Sequence, residues 1–263
     1  MDHCEVGKFW NENAEAWTKL SRMGYDLCRD VVNTPAFLKM LPNVNGLNGL
    51  DIGCGEGNNT RLVAKLGAKM TAIDIAEIFV AHAEEKEKEE PLGIDYLHAS
   101  AVDLPFSNDA FDFAMATMSF MDMPDHPRVV EEAFRVIKPG GFLQFSISHP
   151  CFFPPQRSVI RNEAGKEIAI SVWDYFRSTD GEIEEWTFGA APDSIKQGLK
   201  KFQVPRFHRT LSSWLNLLCN AGFRPEQFDE PFPDEETARR CPYVADMRFT
   251  AHFLIIRCSK PAL

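Results

Sequence analysis

"GLNGLDIGCGEGNNTRLVAKLGAKMTAIDI", residues 46–75, is the stretch on which the reading of this chain turns. Leu47 to Ile52 is short, apolar and bounded by glycine, so it predicts a strand. Gly53, Gly55 and Gly57 follow it at alternate positions. Asn58 to Leu66 predicts a helix with Leu62, Val63 and Leu66 on its apolar face, and Gly67 stands where such a helix stops. "KMTAIDI" predicts a second strand, and it carries Asp74 at its end, roughly twenty residues beyond the glycines. A glycine turn can serve packing alone. A strand before it, a helix after it and an acid at the next strand's end point instead to a nucleotide site.

Spacing and charge narrow the nucleotide. A dinucleotide fingerprint runs G-x-G-x-x-G, and its last glycine would fall on Asn58. No G-K-[ST] follows, so this is no phosphate-cradling P-loop. A pyrophosphate at a helix N-terminus wants amides and no carboxylate, yet Asp51 precedes this turn and Glu56 sits inside it. A nicotinamide-dependent oxidoreductase is therefore disfavoured. The same charges suit a ligand with a positive centre, and S-adenosylmethionine has a sulfonium, an ammonium and no phosphate. Asp74 suits the ribose hydroxyls of either cofactor and does not discriminate.

Strand and helix patterns continue to alternate outward from this stretch. "EIFVAHAEEKEKE" predicts a helix, "IDYLHAS" and "FDFAMATMS" predict strands three and four, and "FLQFSIS" predicts strand five. The helix before strand five has Asp125 as N-cap, Pro127 in its first turn, and Val129, Val130, Ala133, Phe134 and Ile137 on its apolar face. Lys138 suits its C-terminal end, and "PGG" is read as the break. Such alternation implies an α/β fold with a doubly wound, mostly parallel sheet and helices on both faces. At His149 the pattern changes. Residues 150–208 read as a small inserted lobe, with "EIAISVWDYF" and "EIEEWTFG" as strands and "TDG" as the turn between them. The core then resumes with a helix over "TLSSWLNLLCNAGF", capped by Thr210, stopped by Gly222 and burying Leu211, Trp214, Leu215 and Leu218. "EQFDEPF" and "FTAHFLIIRCS" predict the last two strands.

Composition excludes several classes. The chain has 263 residues and is 44% hydrophobic, enough for one domain with a full core. Its net charge of -10 and the lack of a Lys/Arg-rich run argue against nucleic acid as a partner. "EEKEKEE" alternates in sign and reads as a solvated helix end. Seven cysteines without C-x-x-C pairs favour neither disulfides nor structural zinc and suit a reducing, cytoplasmic home. No signal peptide or apolar run of membrane-spanning length is seen, so no membrane partner is expected.

With "SHPCF" and "HRTL" resembling their small-molecule, type 11-like branch, four segments resemble, in order and spacing, the class I S-adenosylmethionine-dependent methyltransferases. They are "LDIGCGEG", "AIDI", "ASAVDLPFSNDAFDFAMA" and "AFRVIKPGGFLQFSIS", and the likeness runs from about residue 46 to 149. The resemblance implies a single methyltransferase domain over 1–263, with seven strands in the order 3-2-1-4-5-7-6 and strand seven antiparallel. It implies that Gly53, Cys54, Gly55 and Asn59 hold the cofactor's methionine part, that Asp51 takes its ammonium and that Asp74 takes its ribose. Ile75, Ser100, Ala101 and Val102 would hold the adenine, and Thr117 and Met118 would line the sulfonium end. Many relatives have Asp where this chain has Ser100, whose hydroxyl accepts without charge.

Residues 1–40 read as helices that form a lid, with Trp10, Trp17, Tyr25 and Arg29 facing the cofactor and Arg29 placed to meet its carboxylate. In-line methyl transfer calls for alignment and no metal, and for a base only when the acceptor must lose a proton. His149, at the carboxyl end of strand five, and His208, in "VPRFHRTL", are the candidate catalytic residues, since a histidine titrates near pH 6.5. Arg209 is expected to pair with an acidic substrate or with Glu230. The expected acceptor is a small organic molecule in an aromatic pocket. A protein or RNA acceptor, or a non-catalytic S-adenosylmethionine-binding protein, is the alternative. "TMSFMD" after strand four lacks an amino-methylating tetrapeptide and argues mildly against base amines.

Overall fold

Side chains alternate across the strands of this chain and sort themselves onto two faces of one sheet. Leu50, Ile52, Ala114, Ala116, Phe145 and Ile147 fall into one buried cluster, while Met70, Ala72, Phe113 and Met115 fall into another. In the computed structural model, which describes every residue except 164, 166 and 263, the strands that carry them are β1 (Asn48–Ile52), β2 (Lys69–Asp74), β3 (Asp95–His98), β4 (Phe111–Thr117) and β5 (Ile137–Ser148). β10 (Arg224–Asp229) and β11 (Phe253–Ser259) complete a seven-stranded sheet in the order β10-β11-β5-β4-β1-β2-β3. β11 runs antiparallel to both β5 and β10, and the rest are parallel. This is the expected 3-2-1-4-5-7-6 order.

Helices cover both faces. α5 (His126–Val136) and α7 (Leu211–Ala221) pack on the first cluster through Val129, Val130, Ala133, Trp214 and Leu218. α2 (Thr34–Met40), α3 (Asn58–Lys65) and α4 (Glu77–Glu89) cover the second through Phe37, Met40, Val63, Val80 and Ala83. The caps lie where the sequence puts them. The Asp125 carboxylate accepts from the Arg128 amide, the Thr210 hydroxyl accepts from the Ser213 amide, and Gly67 and Gly222 end their helices at positive φ.

Four readings are corrected. α3 ends one residue earlier than expected, so Leu66 projects out at 48% exposure and Val63 alone of the three proposed residues is fully buried. β5 begins at Ile137, so "PGG" lies inside the strand; the register shift opposite Phe111 and Phe113 absorbs it. β7 (Glu167–Trp173) and β8 (Glu182–Trp186) do not pair across "TDG". β7 pairs with β6 (Gln156–Arg161), and β8 pairs with β9 (Phe202–Arg206) across the short α6 (Asp193–Lys196), each as a separate antiparallel ribbon. A helical segment that carries no strong periodicity, α8 (Glu235–Arg240) and the tight turns of Pro242–Arg248, lies between β10 and β11.

The N-terminal α1 (His3–Arg22) is fixed by a capping box between Asp2 and Glu5. It packs on β9 and α4, and a wide helical turn, Cys28–Asn33, leads from it into α2. No helix among the described residues is long and apolar enough to cross a membrane.

Candidate active site

The site grows from the turn after β1. Gly53 stands at φ +80, and a Cβ there would lie 2.6 Å from that of Ser119 and 2.9 Å from Met123 Cε. The turn after β1 is thus wedged against the turn after β4. Gly55, at φ +56, faces open space, so a side chain there would enter the cavity. The amides of this turn are already used. Those of Gly53 and Cys54 both donate to the Ile73 carbonyl (2.9 Å each), that of Gly55 donates to Asp74 Oδ2 (2.8 Å), and that of Gly57 donates to the Cys54 carbonyl (3.1 Å). A phosphate would find none of these four N–H groups free. The turn has the glycines of an anion cradle, but these four of its donors are spent.

Carboxylates take their place. Asp74, at the end of β2, also accepts from the Ala76 amide (2.9 Å), which fixes its orientation toward the cavity. Burial raises its pKa. Asp51 lies behind the turn, 1% exposed, and does not reach the cavity wall. Its Oδ2 accepts from the Thr60 hydroxyl (2.6 Å), and its Oδ1 has no partner among the described residues. Burial first, then the neighbouring Asp74 charge, pushes Asp51 up to about 7. An orphaned, buried carboxylate oxygen is a place prepared for a positive charge. Burial and Asp74 also push the Cys54 thiol well up, so it is no nucleophile here.

The turn after β4 forms the second wall. Met118 adopts φ +57, an uncommon conformation for a non-glycine residue, and its amide is held by the Ser146 carbonyl (2.9 Å). Thr117 Oγ1 is buried without a partner among the described residues. The Ser119 hydroxyl donates to the Ile52 carbonyl (2.6 Å), tying this turn to β1. Asp122 follows, buried, with Oδ1 accepting from Arg206 Nη1 (3.1 Å). Desolvation outweighs the guanidinium and pushes Asp122 up to about 6.

The third wall, after β3, is Ser100, Ala101 and Val102. The Ser100 hydroxyl is paired with His3 Nδ1 (2.8 Å), so the start of α1 closes this side. The roof is aromatic. Trp10 and Trp17 of α1 and Trp186 of β8 line the cavity, and Trp17 packs on Trp186, Phe188 and Phe202 with ring centroids 4.8–5.3 Å apart. Arg29 lines the cavity with its guanidinium 2.8 Å from Asp30, 3.6 Å from Asp26 and 3.5 Å from Glu56. Burial pushes Asp26 up to about 6.

Together these walls enclose about 350 Å³. Of the residues singled out in the sequence, Arg29, Gly53, Cys54, Gly55, Asn59, Asp74, Ile75, Ser100, Ala101, Val102, Thr117 and Met118 all face this one cavity. His149 and His208 do not. The Cys151 amide donates to His149 Nδ1 (3.2 Å), which leaves the ring proton on Nε2, and Nε2 donates it to Glu230 (2.6 Å). His208 Nε2 donates to the Tyr175 carbonyl (2.8 Å), and burial lowers the pKa of that ring. Arg209 does not meet Glu230; its Nη1 donates to the Thr179 and His208 carbonyls (2.7 and 2.8 Å). Asp122, Arg206 and His252 line the cavity and were not foreseen. Asp122 stands in the "SFMD" segment, and its position just past strand four was the available signal.

Residues 50–145 match the family model described as a methyltransferase domain. A demethylmenaquinone methyltransferase of Listeria welshimeri is 32% identical over 110 residues, which are 40% of this chain and 47% of that protein. The chain thus spans about half the length of the curated relatives it matches. A crystal structure of an S-adenosylmethionine-dependent methyltransferase from Mesorhizobium loti superposes with a TM-score of 0.70 at 26% identity, covering 86% of this chain and 96% of that one. A phosphoethanolamine N-methyltransferase of Haemonchus contortus, solved with S-adenosylmethionine, shares the fold with a TM-score of 0.55 at 17% identity. The superposition covers 87% of this chain and 52% of that one.

Proposed function

We propose that this chain, a class I, Rossmann-like methyltransferase by the domain it carries over residues 50–145, transfers the methyl group of S-adenosylmethionine to a small-molecule acceptor. The observation that carries the reading is the glycine turn, with its amides engaged and carboxylates around it. Such a turn repels a pyrophosphate and attracts a cation. The open space at Gly55 fits the methionine chain of the cofactor, and the Asp51 carboxylate behind the turn favours its ammonium through charge and not through contact. Asp74 is the residue to hold the ribose, Ile75 and Ser100–Val102 the adenine, and Arg29 the carboxylate.

When bound, S-adenosylmethionine supplies a methyl group on a positively charged sulfur. The chain's part is alignment, exclusion of water and, where needed, removal of a proton. The aromatic roof excludes water. Asp122, at about 6, is mostly ionised at neutral pH and lies in the cavity wall, so it suits the removal of a proton from a hydroxyl or an ammonium. His149 lacks that opportunity because both ring nitrogens are engaged outside the cavity. The roofed cavity and the net charge of -10 favour a small acceptor over a protein or RNA.

Calorimetric titration with S-adenosylmethionine, S-adenosylhomocysteine and NAD tests the cofactor. Micromolar binding of the first two and none of NAD is expected, and binding of NAD alone would overturn the reading. Methyl transfer to any member of a small-acceptor panel separates an enzyme from a non-catalytic binder.

A further inference from the structure

A second cavity of about 210 Å³ adjoins the first, and the two share Met121, Ser148, Phe153 and Arg206 in their walls. Its apolar side carries the rings of Phe153, Phe207 and Trp214 beside Pro150, Pro154 and Pro155. Its polar side is unusual for a chain of net charge -10, because Arg157, Arg206 and Arg209 all face it. Two carboxylates face it as well. Glu182 is paired with Arg177, and Glu184 lies between Arg206 (2.6 Å) and Arg157 (3.8 Å).

The guanidiniums are only partly used. Arg206 gives Nε to Glu184 and Nη1 to Asp122; Nη2 has no acceptor among the described residues. Its side chain keeps 26% exposure and lines both cavities. Among the described residues, Arg209 spends Nη1 alone. Arg157 lies over the Phe153 ring, 4.2 Å from its centroid, and Glu184 is beyond hydrogen-bond reach of it. Packing and ion pairs therefore fix three planar forks in place while several N–H groups stay unspent. A carboxylate accepts such donors in pairs.

We propose that this second cavity is the distal subsite of the methyl acceptor, and that it takes a planar, aromatic acceptor bearing a carboxylate, held by Arg157 and Arg206 with Arg209 behind them. This rests on the methyltransferase reading of the neighbouring cavity. The acceptor's reactive end would point past Met121 and Asp122 toward the cofactor, and its acid would remain among the arginines. Arg206 then has two roles: it orients Asp122 on one side and recognises the acceptor on the other.

The test is calorimetry on protein loaded with S-adenosylhomocysteine, using 4-hydroxybenzoate and 4-hydroxybenzamide as a matched pair. The carboxylate is expected to bind at least tenfold more tightly than the amide. Arg157→Gln, at the exposed rim, should erase most of that preference without changing affinity for S-adenosylhomocysteine. Arg206→Lys keeps the charge that Asp122 and Glu184 need for folding but loses the fork, and it should lower carboxylate affinity by about tenfold. Equal binding of acid and amide, a preference that survives Arg157→Gln, or no binding of either probe to the loaded protein would overturn the subsite. Failure of S-adenosylhomocysteine to bind at all would instead remove the reading on which the subsite rests.

Discussion

The floor of the cavity and its roof are built on different principles. The floor spends its hydrogen bonds on itself: three successive turn amides are committed to Ile73 and Asp74, and Ser119 ties β4 to β1. The roof is held by contact among Trp10, Trp17, Trp186, Phe188 and Phe202, and it keeps guanidinium donors in reserve. A floor of this kind is rigid before any ligand arrives and can be specific for a fixed cofactor. A roof made by packing can vary its lining while the fold stays the same. The predicted effects should therefore be largest where the floor is disturbed.

Gly53→Val is the most severe test. The residue would have to hold φ +80 and place a Cβ within 3 Å of Ser119 and Met123. A destabilisation of about 4 kcal/mol is expected from backbone strain and overpacking together, with loss of cofactor binding. Denaturant titration and calorimetry measure the two. A variant as stable as the parent would show that the floor yields, and the contrast with the roof would collapse.

Asp51→Asn tests the charge hidden under the floor. The Asp51 carboxyl sits at about 7 in the folded chain against 3.8 for an unperturbed aspartate. Between those values the folded state holds a proton that the unfolded state has released, so stability falls as pH rises from about 4 through 7. The penalty is absent below pH 4 and full above pH 7. Asn should therefore stabilise the ligand-free protein at pH 8 by on the order of 2–3 kcal/mol, and should do little at pH 4. It should also weaken S-adenosylmethionine binding. Binding by the parent should strengthen from pH 6 to 8 and release protons, which calorimetry in buffers of differing ionisation enthalpy detects. A stability difference independent of pH would refute this account of Asp51.

Asp74→Ala comes next. It removes a charged acceptor of two backbone amides and the group assigned to the ribose. Cofactor affinity should fall by about 1–3 kcal/mol. Unchanged affinity would end the ribose role and leave Asp74 a purely structural part of the floor.

The same contrast explains what could be read from the sequence. The floor is local: β1, the glycine turn, α3 and β2 occupy residues 46–75 without a break, and each parallel strand delivers its last residues to the same edge. Periodicity and glycine spacing therefore singled out Gly53 and Asp74, and the family resemblance added Ser100–Val102, without knowledge of any distant contact. The roof is not local. Trp17 meets Phe202, and Arg206 meets Asp122 across 84 residues, and no periodic signal links such partners. The two ribbons were mispaired because "TDG" is a good turn whichever strands it joins. The turns of Pro242–Arg248, which bring Tyr243 and Met247 to the cavity, are too short for a helical pattern to emerge.

His149 shows the limit most clearly, and it supplies the smallest predicted effect. Its position was read correctly, since it follows directly on Ser148 at the end of β5. Its direction was not, because the next residues decide it: the Phe152 and Phe153 amides fold back onto its carbonyl, and the Cys151 amide takes Nδ1. The ring is 2% exposed and donates to Glu230, so it closes the end of the sheet and does not serve the cavity. His149→Ala should cost about 1–2 kcal/mol of stability, the scale of a lost hydrogen bond to a charged group, and leave cofactor affinity within twofold. Once an acceptor is in hand, Asp122→Asn should remove the acidic limb of the pH–rate profile and His149→Ala should leave it in place. If the limb followed His149 instead, the end of β5 would have to be counted with the floor.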